Sequence, residues 1–246
     1  MNGWLILLAV SLRYFFIAGL AYAIFYVFKD TTIRKKIQIV FPQNKDVIRE
    51  IGYSILTIII FAAIGYAIFS NTLRSYTFLY ASIETYGWFY FVLSILLMIL
   101  VHDTYFYWVH RWMHRIKLYK WVHKVHHLST NPSPWAAYAF HPLEALAEAG
   151  IIVVIAFSIP AHPLAISLFL LFMIVYNVYG HLGYELYPKG FSKSAVGKWI
   201  NTSVNHNQHH QCFNGNYGLY FLWWDRWMGT LRNDYDDHFE KVQSGK

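Results

Sequence analysis

Residues 85–114 read TYGWFYFVLSILLMILVHDTYFYWVHRWMH. From Thr85 to Val101 no side chain is charged, and the run continues through His102 and Asp103 to close on His110 and His114. About 20 apolar residues suffice to cross the hydrocarbon core of a bilayer, so this stretch predicts a membrane helix. Residues four apart share one helix face, so the span ends by presenting two imidazoles together at the membrane edge.

The whole chain has the composition such a helix needs. Of its 246 residues, 57% are hydrophobic and 20% aromatic, only 13% are charged, and the mean hydropathy is +0.31. Soluble domains carry about 25% charged residues, so a water-soluble globule is excluded and one membrane domain over 1–246 is expected. The net charge is +7, but the basic residues sit in short clusters between apolar runs. That pattern fits loops facing anionic lipid and no nucleic acid. With Cys212 as the single cysteine, an internal disulfide, a CxxC metal knuckle and a cysteine-bound iron–sulfur cluster are ruled out.

Membrane segments are expected at about 4–28, 51–73, 85–109 and 149–180. The last is split by Pro160, His162 and Pro163 and reads as a hairpin that enters and returns. Met1-Asn2-Gly3 lacks the basic start of a secretory signal, so the first segment reads as a retained helix. Arg13 within it is costly and has no evident reason. Lys29 to Arg49 is rich in lysine and arginine and marks a cytoplasmic loop. The count of spans puts Arg111–Lys124 and Lys189–Lys198 on that same side. The expected architecture is therefore all-α: about four membrane-crossing helices or hairpins, with a cytosolic histidine-rich cap formed by 102–147 and 181–246. Asp234 to His238 reads as a solvated tail, and His162 as an interfacial or hydrogen-bonded residue.

Three histidine clusters lie on the cap: His110-Arg-Trp-Met-His114, His123-Lys-Val-His126-His127 and His206-Asn-Gln-His209-His210. On a helix each cluster can aim two or three imidazoles at one point. Imidazole binds iron, zinc, copper and nickel, and eight histidines exceed what one tetrahedral zinc can use, which predicts two ions. One such pair alone would as readily be a hydrogen-bonded pair; three clusters on one side are not. HExxH is absent, which removes the zinc-protease arrangement, and Glu-x-x-His is absent, which removes the carboxylate-bridged di-iron bundle. No GxGxxG or Walker sequence is present to bind a nicotinamide, flavin or nucleotide.

These three boxes, in this order beside apolar spans, resemble the membrane fatty acid hydroxylase and sterol desaturase superfamily. The resemblance runs from about His102 to Arg232. HDTYFYWVHR (102–111) resembles its approach to the first box. WAAYAFHPLE (135–144), NGNYG (214–218) and WDR (224–226) resemble its sterol C-5 desaturase (lathosterol oxidase) branch. It implies a di-iron centre that uses dioxygen and two external electrons to attack an unactivated lipid C–H bond. Carried over by position, the ligands are His110, His114, His123, His126, His127, His206, His209 and His210, joined by His181 at the end of the last span. Asn177, one turn before His181, is where related enzymes place a histidine or a water-binding asparagine.

Behind the ligands, Asp103, Glu144, Asp225 and Glu185 are the available carboxylates, with His141 beside them, since a ligating histidine hands its other nitrogen to such a group. For Asp103 and Asp225, ion pairing with Arg111 or Arg226 is an equal alternative. Trp108, Tyr105, Tyr138 and Tyr217 are open to two readings, substrate tunnel or aromatic belt and packing.

The expected protein is an oxygen-dependent oxidoreductase that hydroxylates or desaturates a sterol-like or long-chain membrane lipid. Zinc is able to replace iron in a purified sample, and a separate cytochrome or ferredoxin is expected as electron donor. The boxes do not separate hydroxylase from desaturase. An isoprenoid or carotenoid hydroxylase is one rival. A non-catalytic zinc-binding or metal-transporting protein is another, and the scarcity of mid-span charges weighs against transport. Val242 to Lys246 carries no evident dilysine or KDEL-type signal, so a bacterial cytoplasmic membrane is expected, with the endoplasmic reticulum as the alternative.

Overall fold

The computed structural model describes residues 2–28 and 35–245. Its regular structure is almost entirely helical: α1 (Gly3–Tyr22, prolonged by a π-helical turn over Ala23–Val27), α2 (Asn44–Phe69), α3 (Asn71–Arg74), α4 (Gly87–Met113), α5 (Ile116–Val122), α6 (Pro142–Ser158), α7 (Pro163–Gly180), α8 (Ser203–Cys212), α9 (Trp223–Trp227) and α10 (Tyr235–Gln243). Two short strands, β1 (Lys35–Lys36) and β2 (Tyr184–Glu185), pair antiparallel. Among the described residues four helices are long and apolar enough to cross a membrane: α1 with its π turn, α2, α4 and α7. Their outward side chains, among them Leu12, Phe16, Ile59 and Leu96, are exposed, as lipid-facing residues must be. The chain is an all-α integral membrane protein.

α1 and α2 run antiparallel: Gly3 lies against Tyr66, and Gly65 against Ile6. α6 packs on α2 and α4, and α7 on α1 and α4. The two short arms start alike. His141 and His162 each cap their helix by accepting an amide two residues on, and each is followed by a proline in the first turn, where a missing N–H costs nothing.

Several boundaries differ from the sequence reading, each for a physical reason. α2 starts at Asn44, before the apolar run, because Arg49 pairs with Asp46 at 2.6 Å and Glu50 accepts a bond from Ser133. α4 runs to Met113, past the expected end at 109, so His110 lies in its last turn and His114 caps it. The final arm begins at Pro142, and a turn over residues 159–162 joins α6 to α7. Of the basic loop, Lys29 and Arg34 lie outside the described residues; Lys36 is packed over the Phe41 ring at 4.6 Å. The supposed solvated tail is a helix: Tyr235 and Phe239, one turn apart in α10, are buried with Val204 and Leu222.

Asp103 and Asp225 follow neither sequence reading. Asp103 Oδ1 accepts the amides of Tyr220 and Phe221 at 2.8 and 3.1 Å, tying α4 to the segment before α9. Asp225 accepts the amides of Tyr217 and Gly218 and the Thr230 hydroxyl. Arg111 bonds the Tyr107 hydroxyl and Arg226 the Lys198 carbonyl instead. Asp103→Ala orphans two amides, at about 1–3 kcal/mol for each buried group left unpaired. The thermal midpoint of the purified protein in detergent is expected to drop clearly for Asp103→Ala and by less for Asp103→Asn, which keeps an acceptor oxygen. Equal midpoints for Asp103→Ala and the intact chain would show that this tie is not needed.

Candidate metal centre

Nine histidines converge at the end of the bundle where α4 and α7 finish. They form two groups: His110, His114, His123, His127 and His209, and His126, His181, His206 and His210, with the ligand atoms of each group within 4.8 Å of one another. All except His114 are buried. His110 comes from the last turn of α4 and His114 caps it. His123 caps α5, while His126 and His127 sit on a 3₁₀ turn, so the second box does not lie on one α-helix as its spacing suggested. The third box does lie on one, α8. His181 caps α7.

Neither HxxHH box aims all its rings at one point. In both, the i and i+4 members stay together (His123 with His127, His206 with His210), and the i+3 member, His126 or His209, joins the opposite group. The boxes therefore interlock. Each group draws on both, and the consecutive pairs His126–His127 and His209–His210 straddle the boundary.

The distances are uniform. In the first group Nε2 atoms are 3.0 Å apart for His110–His123 and His123–His127, 3.1 Å for His114–His127 and 3.2 Å for His114–His209. In the second, His181 Nε2 lies 3.1 Å from His206 and 3.2 Å from both His126 and His210. The outward nitrogens fix the tautomers. Nδ1 of His110, His181 and His209 meets the carbonyls of Tyr217, Asn177 and Gly215 at 3.0, 2.8 and 2.7 Å. A carbonyl only accepts, so these Nδ1 atoms carry the proton and Nε2 is left as a bare lone pair. Burial holds the rings neutral. It pushes His123, His126, His127, His206, His209 and His210 well below the usual histidine range, His181 down to about 4 and His114 to about 2.

Neutral rings with lone pairs about 3 Å apart repel one another unless a cation stands among them. The spacing fits that demand. Nitrogens about 2.1 Å from an ion and at right angles to each other are about 3.0 Å apart, whereas tetrahedral ones are about 3.4 Å apart. Both groups can hold a metal ion, and the five-membered one exceeds a tetrahedral shell.

The outer residues sort differently from their sequence ranking. Glu144 Oε1 is 2.6 Å from His123 Nδ1, and burial raises its carboxyl well above the usual range. Asp225 acts one step further back, holding the turn whose Tyr217 carbonyl takes His110. Glu185 accepts from the Tyr179 hydroxyl and the Val204 amide, which begins α8. His141 is turned to its helix cap, and Asp103 to backbone amides. The Asn177 amide donates to the Ala137 carbonyl at 2.8 Å, and it is the Asn177 backbone oxygen that meets His181. The three orienting carbonyls were not foreseen. Their one sequence signal is the turn after α8, where Gly215 and Asn216 take φ of 80° and 58°; a Cβ on Gly215 would come within 2.7 Å of the Thr230 carbonyl.

Beside the histidines, enclosed by α1, α2, α4, α6 and α7, is a cavity of about 260 Å³. Its wall includes Phe106 and Phe140, whose rings lie 4.9 Å from His110 and 5.1 Å from His126. One aromatic residue thus separates the chamber from each group.

The fold and site define a helical membrane protein with two groups of histidines able to hold metal beside a largely apolar cavity. The fatty acid hydroxylase family pattern matches residues 95–230. The chain is similar to the lathosterol oxidase of Rattus norvegicus, 31% identical over 228 residues, which cover 92% of this chain and 73% of that one. For the lathosterol oxidase of Homo sapiens the identity is 33% over 223 residues, covering 89% and 71%. For a Delta(7)-sterol 5(6)-desaturase of Gibberella zeae it is 31% over 194 residues, covering 75% and 55%. No solved structure matches. The chain belongs to the fatty acid hydroxylase family. That membership supports an oxidoreductase of membrane lipids. These relatives come from mammals and a fungus, so the expected bacterial membrane gains no support from them.

Glu144→Gln is expected to lower metal affinity about tenfold and Glu144→Ala up to about 100-fold, the usual range for a residue that orients a ligand, with helix content unchanged. Chelator competition followed by elemental analysis measures it; unchanged affinity in Glu144→Ala would remove Glu144 from the site. Acid should act on folding as well. Unfolded histidines take up protons near pH 6.5 and the buried ones do not, so the unfolded state binds more protons below that pH and stability falls with it. The thermal midpoint of metal-free protein is expected to decline steadily from pH 7 to pH 5; a flat or rising profile would contradict neutral burial of these rings.

Proposed function

We propose that this chain is a di-iron, oxygen-dependent membrane oxidoreductase that hydroxylates or desaturates a lipid, with a sterol-like substrate favoured by the names of its relatives. His110, His114, His123, His127 and His209 would hold one iron, and His126, His181, His206 and His210 the other. The irons supply the activation of oxygen and, with two electrons from a separate cytochrome or ferredoxin-type donor, the oxidising power for an unactivated C–H bond. The chain's own residues do the rest. The carbonyls of Tyr217, Asn177 and Gly215 keep the ring protons of His110, His181 and His209 on Nδ1, with their Nε2 atoms aimed inward, and the Glu144 carboxyl orients His123 through its Nδ1. Phe106 and Phe140 bring the wall of the chamber against His110 and His126, and the apolar lining keeps water from the bond under attack.

The observation that carries this reading is the chamber itself. A structural zinc site needs no cavity beside it, whereas an enzyme acting on a lipid needs an apolar space open to one. The basic segments around the histidine end favour the cytosolic side for it, and the eukaryotic relatives favour the endoplasmic reticulum over a bacterial membrane.

Mass spectrometry of total membrane lipids, from cells with and without the intact gene, tests the proposal against a His206→Ala/His209→Ala control. One lipid class should gain an oxygen or lose two hydrogens only with the intact protein, and that difference also separates hydroxylase from desaturase. If no lipid changes under aerobic growth, with the protein present and donors supplied, the site is a binding or structural one.

A further inference from the structure

The cavity carries most of its polar groups at one end. Along α7 its lining runs from Pro163 through Ile166, Leu170 and Met173 to Asn177, about 21 Å at 1.5 Å per residue. Towards the Pro163 end the other walls are Leu5, Ile6, Gly65 and Phe69, all apolar. Near the Pro163 end Ser167 spends its hydroxyl on the Pro163 carbonyl, and the other polar side chains of the lining, Arg13, Tyr138, His102, Glu148 and Asn177, belong to the half nearer the histidines. A chamber built this way takes an amphipathic molecule, polar end towards the metal groups.

Arg13 and Tyr138 make a distinct pair within that half. The Arg13 guanidinium stands beside the Tyr138 hydroxyl. Arg13 Nε is buried without a hydrogen-bond partner, and the Tyr138 hydroxyl has no partner besides that guanidinium. Among the described residues no carboxylate forms a salt bridge with Arg13. A cation in a membrane span is expensive and is found where it serves a pathway or a ligand. The Tyr138 ring has no freedom to turn its hydroxyl elsewhere: it is stacked on Tyr14 at 5.1 Å and edge-packed against Phe61 at 5.2 Å. Glu148 and His102 lie on another wall. Glu148 belongs to α6, and His102, on α4, bonds the Tyr220 hydroxyl.

We infer that Arg13 and Tyr138 are the docking point for the oxygen at the polar end of the lipid substrate, donating hydrogen bonds to it. This rests on the reading of the cavity as the substrate chamber. Phe140, two residues after Tyr138, meets His126, so the oxygen is held close to the metal groups. The C–H bond attacked then lies only a few bonds from that oxygen, and the hydrocarbon body extends towards Pro163. Because both groups donate, the substrate oxygen must accept; it need not carry a hydrogen.

The test is equilibrium binding to the purified full-length chain in nanodiscs, with two probe series. One is a Delta(7)-sterol as its 3-hydroxyl, 3-ketone and 3-deoxy forms; the other is stearyl alcohol, stearaldehyde and octadecane. In at least one series the hydroxyl and carbonyl members should bind about tenfold or more tightly than the hydrocarbon, the effect of a hydrogen bond from a charged group. In Tyr138→Phe, which keeps the ring packing, and in Arg13→Met, which a span tolerates better than arginine, the preference should fall below about twofold. A preference in the acyl series alone supports the docking point and moves the substrate reading from sterols to acyl lipids. A preference for the hydroxyl but not the carbonyl form, or one that survives in both variants, overturns it and transfers the oxygen to Glu148 or His102. If neither skeleton binds while cells still accumulate product, the cavity is not the chamber and the inference falls. Absence of both binding and product refutes the functional reading beneath it.

Discussion

Nine imidazole rings packed with their Nε2 atoms about 3 Å apart are a costly arrangement that a bound cation would relieve, and much of this molecule is arranged to keep them there. Three backbone carbonyls hold protons on the far side of His110, His181 and His209, and the Glu144 carboxyl meets the far nitrogen of His123. Those carbonyls are fixed in turn: Tyr217 by Asp225, Gly215 by a turn with positive φ at two successive residues, Asn177 by the last turn of α7. Without metal the same arrangement is a strained cluster of desolvated polar groups, so the centre and the folding of its loops are thermodynamically linked.

Much of this was legible in the sequence because two strong signals coincide. Apolar runs of membrane length are unmistakable, and the three histidine boxes name eight of the nine converging rings by spacing alone. His181 was legible only through resemblance, since an isolated histidine at a helix end has no periodicity to mark it. The interlocking of the boxes was hidden for a simpler reason. Helical spacing says which side chains share a face; it does not say that the i+3 member turns far enough to serve a neighbour, or that the second box lies on a 3₁₀ turn. The roles of Asp103 and Asp225 were hidden because carboxylates bond backbone amides as well as cations, and the amides of Tyr217, Gly218, Tyr220 and Phe221 come near them only in the fold. Tyr235 and Phe239 failed to register because one apolar pair among acidic residues reads as a tail until a surface is found for it.

The aromatic content has a similar split meaning. On the lipid face Phe16 and Trp88 are exposed as belt and bulk. Inside, Tyr14, Tyr138, Phe61 and Trp135 form a stack of rings that joins α1 and α2 to the 3₁₀ turn over Pro134–Tyr138, and Tyr14 and Ser54 both donate to the Trp135 carbonyl. That turn carries both a wall of the chamber and the approach to Phe140. The first hundred residues, which contribute only hydropathy to a reading of the sequence, therefore shape the chamber as much as the histidine-bearing half does.

The two groups meet the chamber symmetrically although one has five members and the other four. None of the nine rings lines the cavity, yet His110 of the five-membered group touches Phe106 and His126 of the four-membered group touches Phe140. A molecule seated at the inner end therefore faces both groups at once rather than one of them. On a different side, His114 is the single member with partial exposure, packed against Tyr119. The first group is thus the more open to the aqueous side and the second is sealed by α7 and α8. That difference in solvation, set by which residue happens to finish α4 and which finish α7 and α8, distinguishes the groups electrostatically even though every proposed ligand in both is the same side chain.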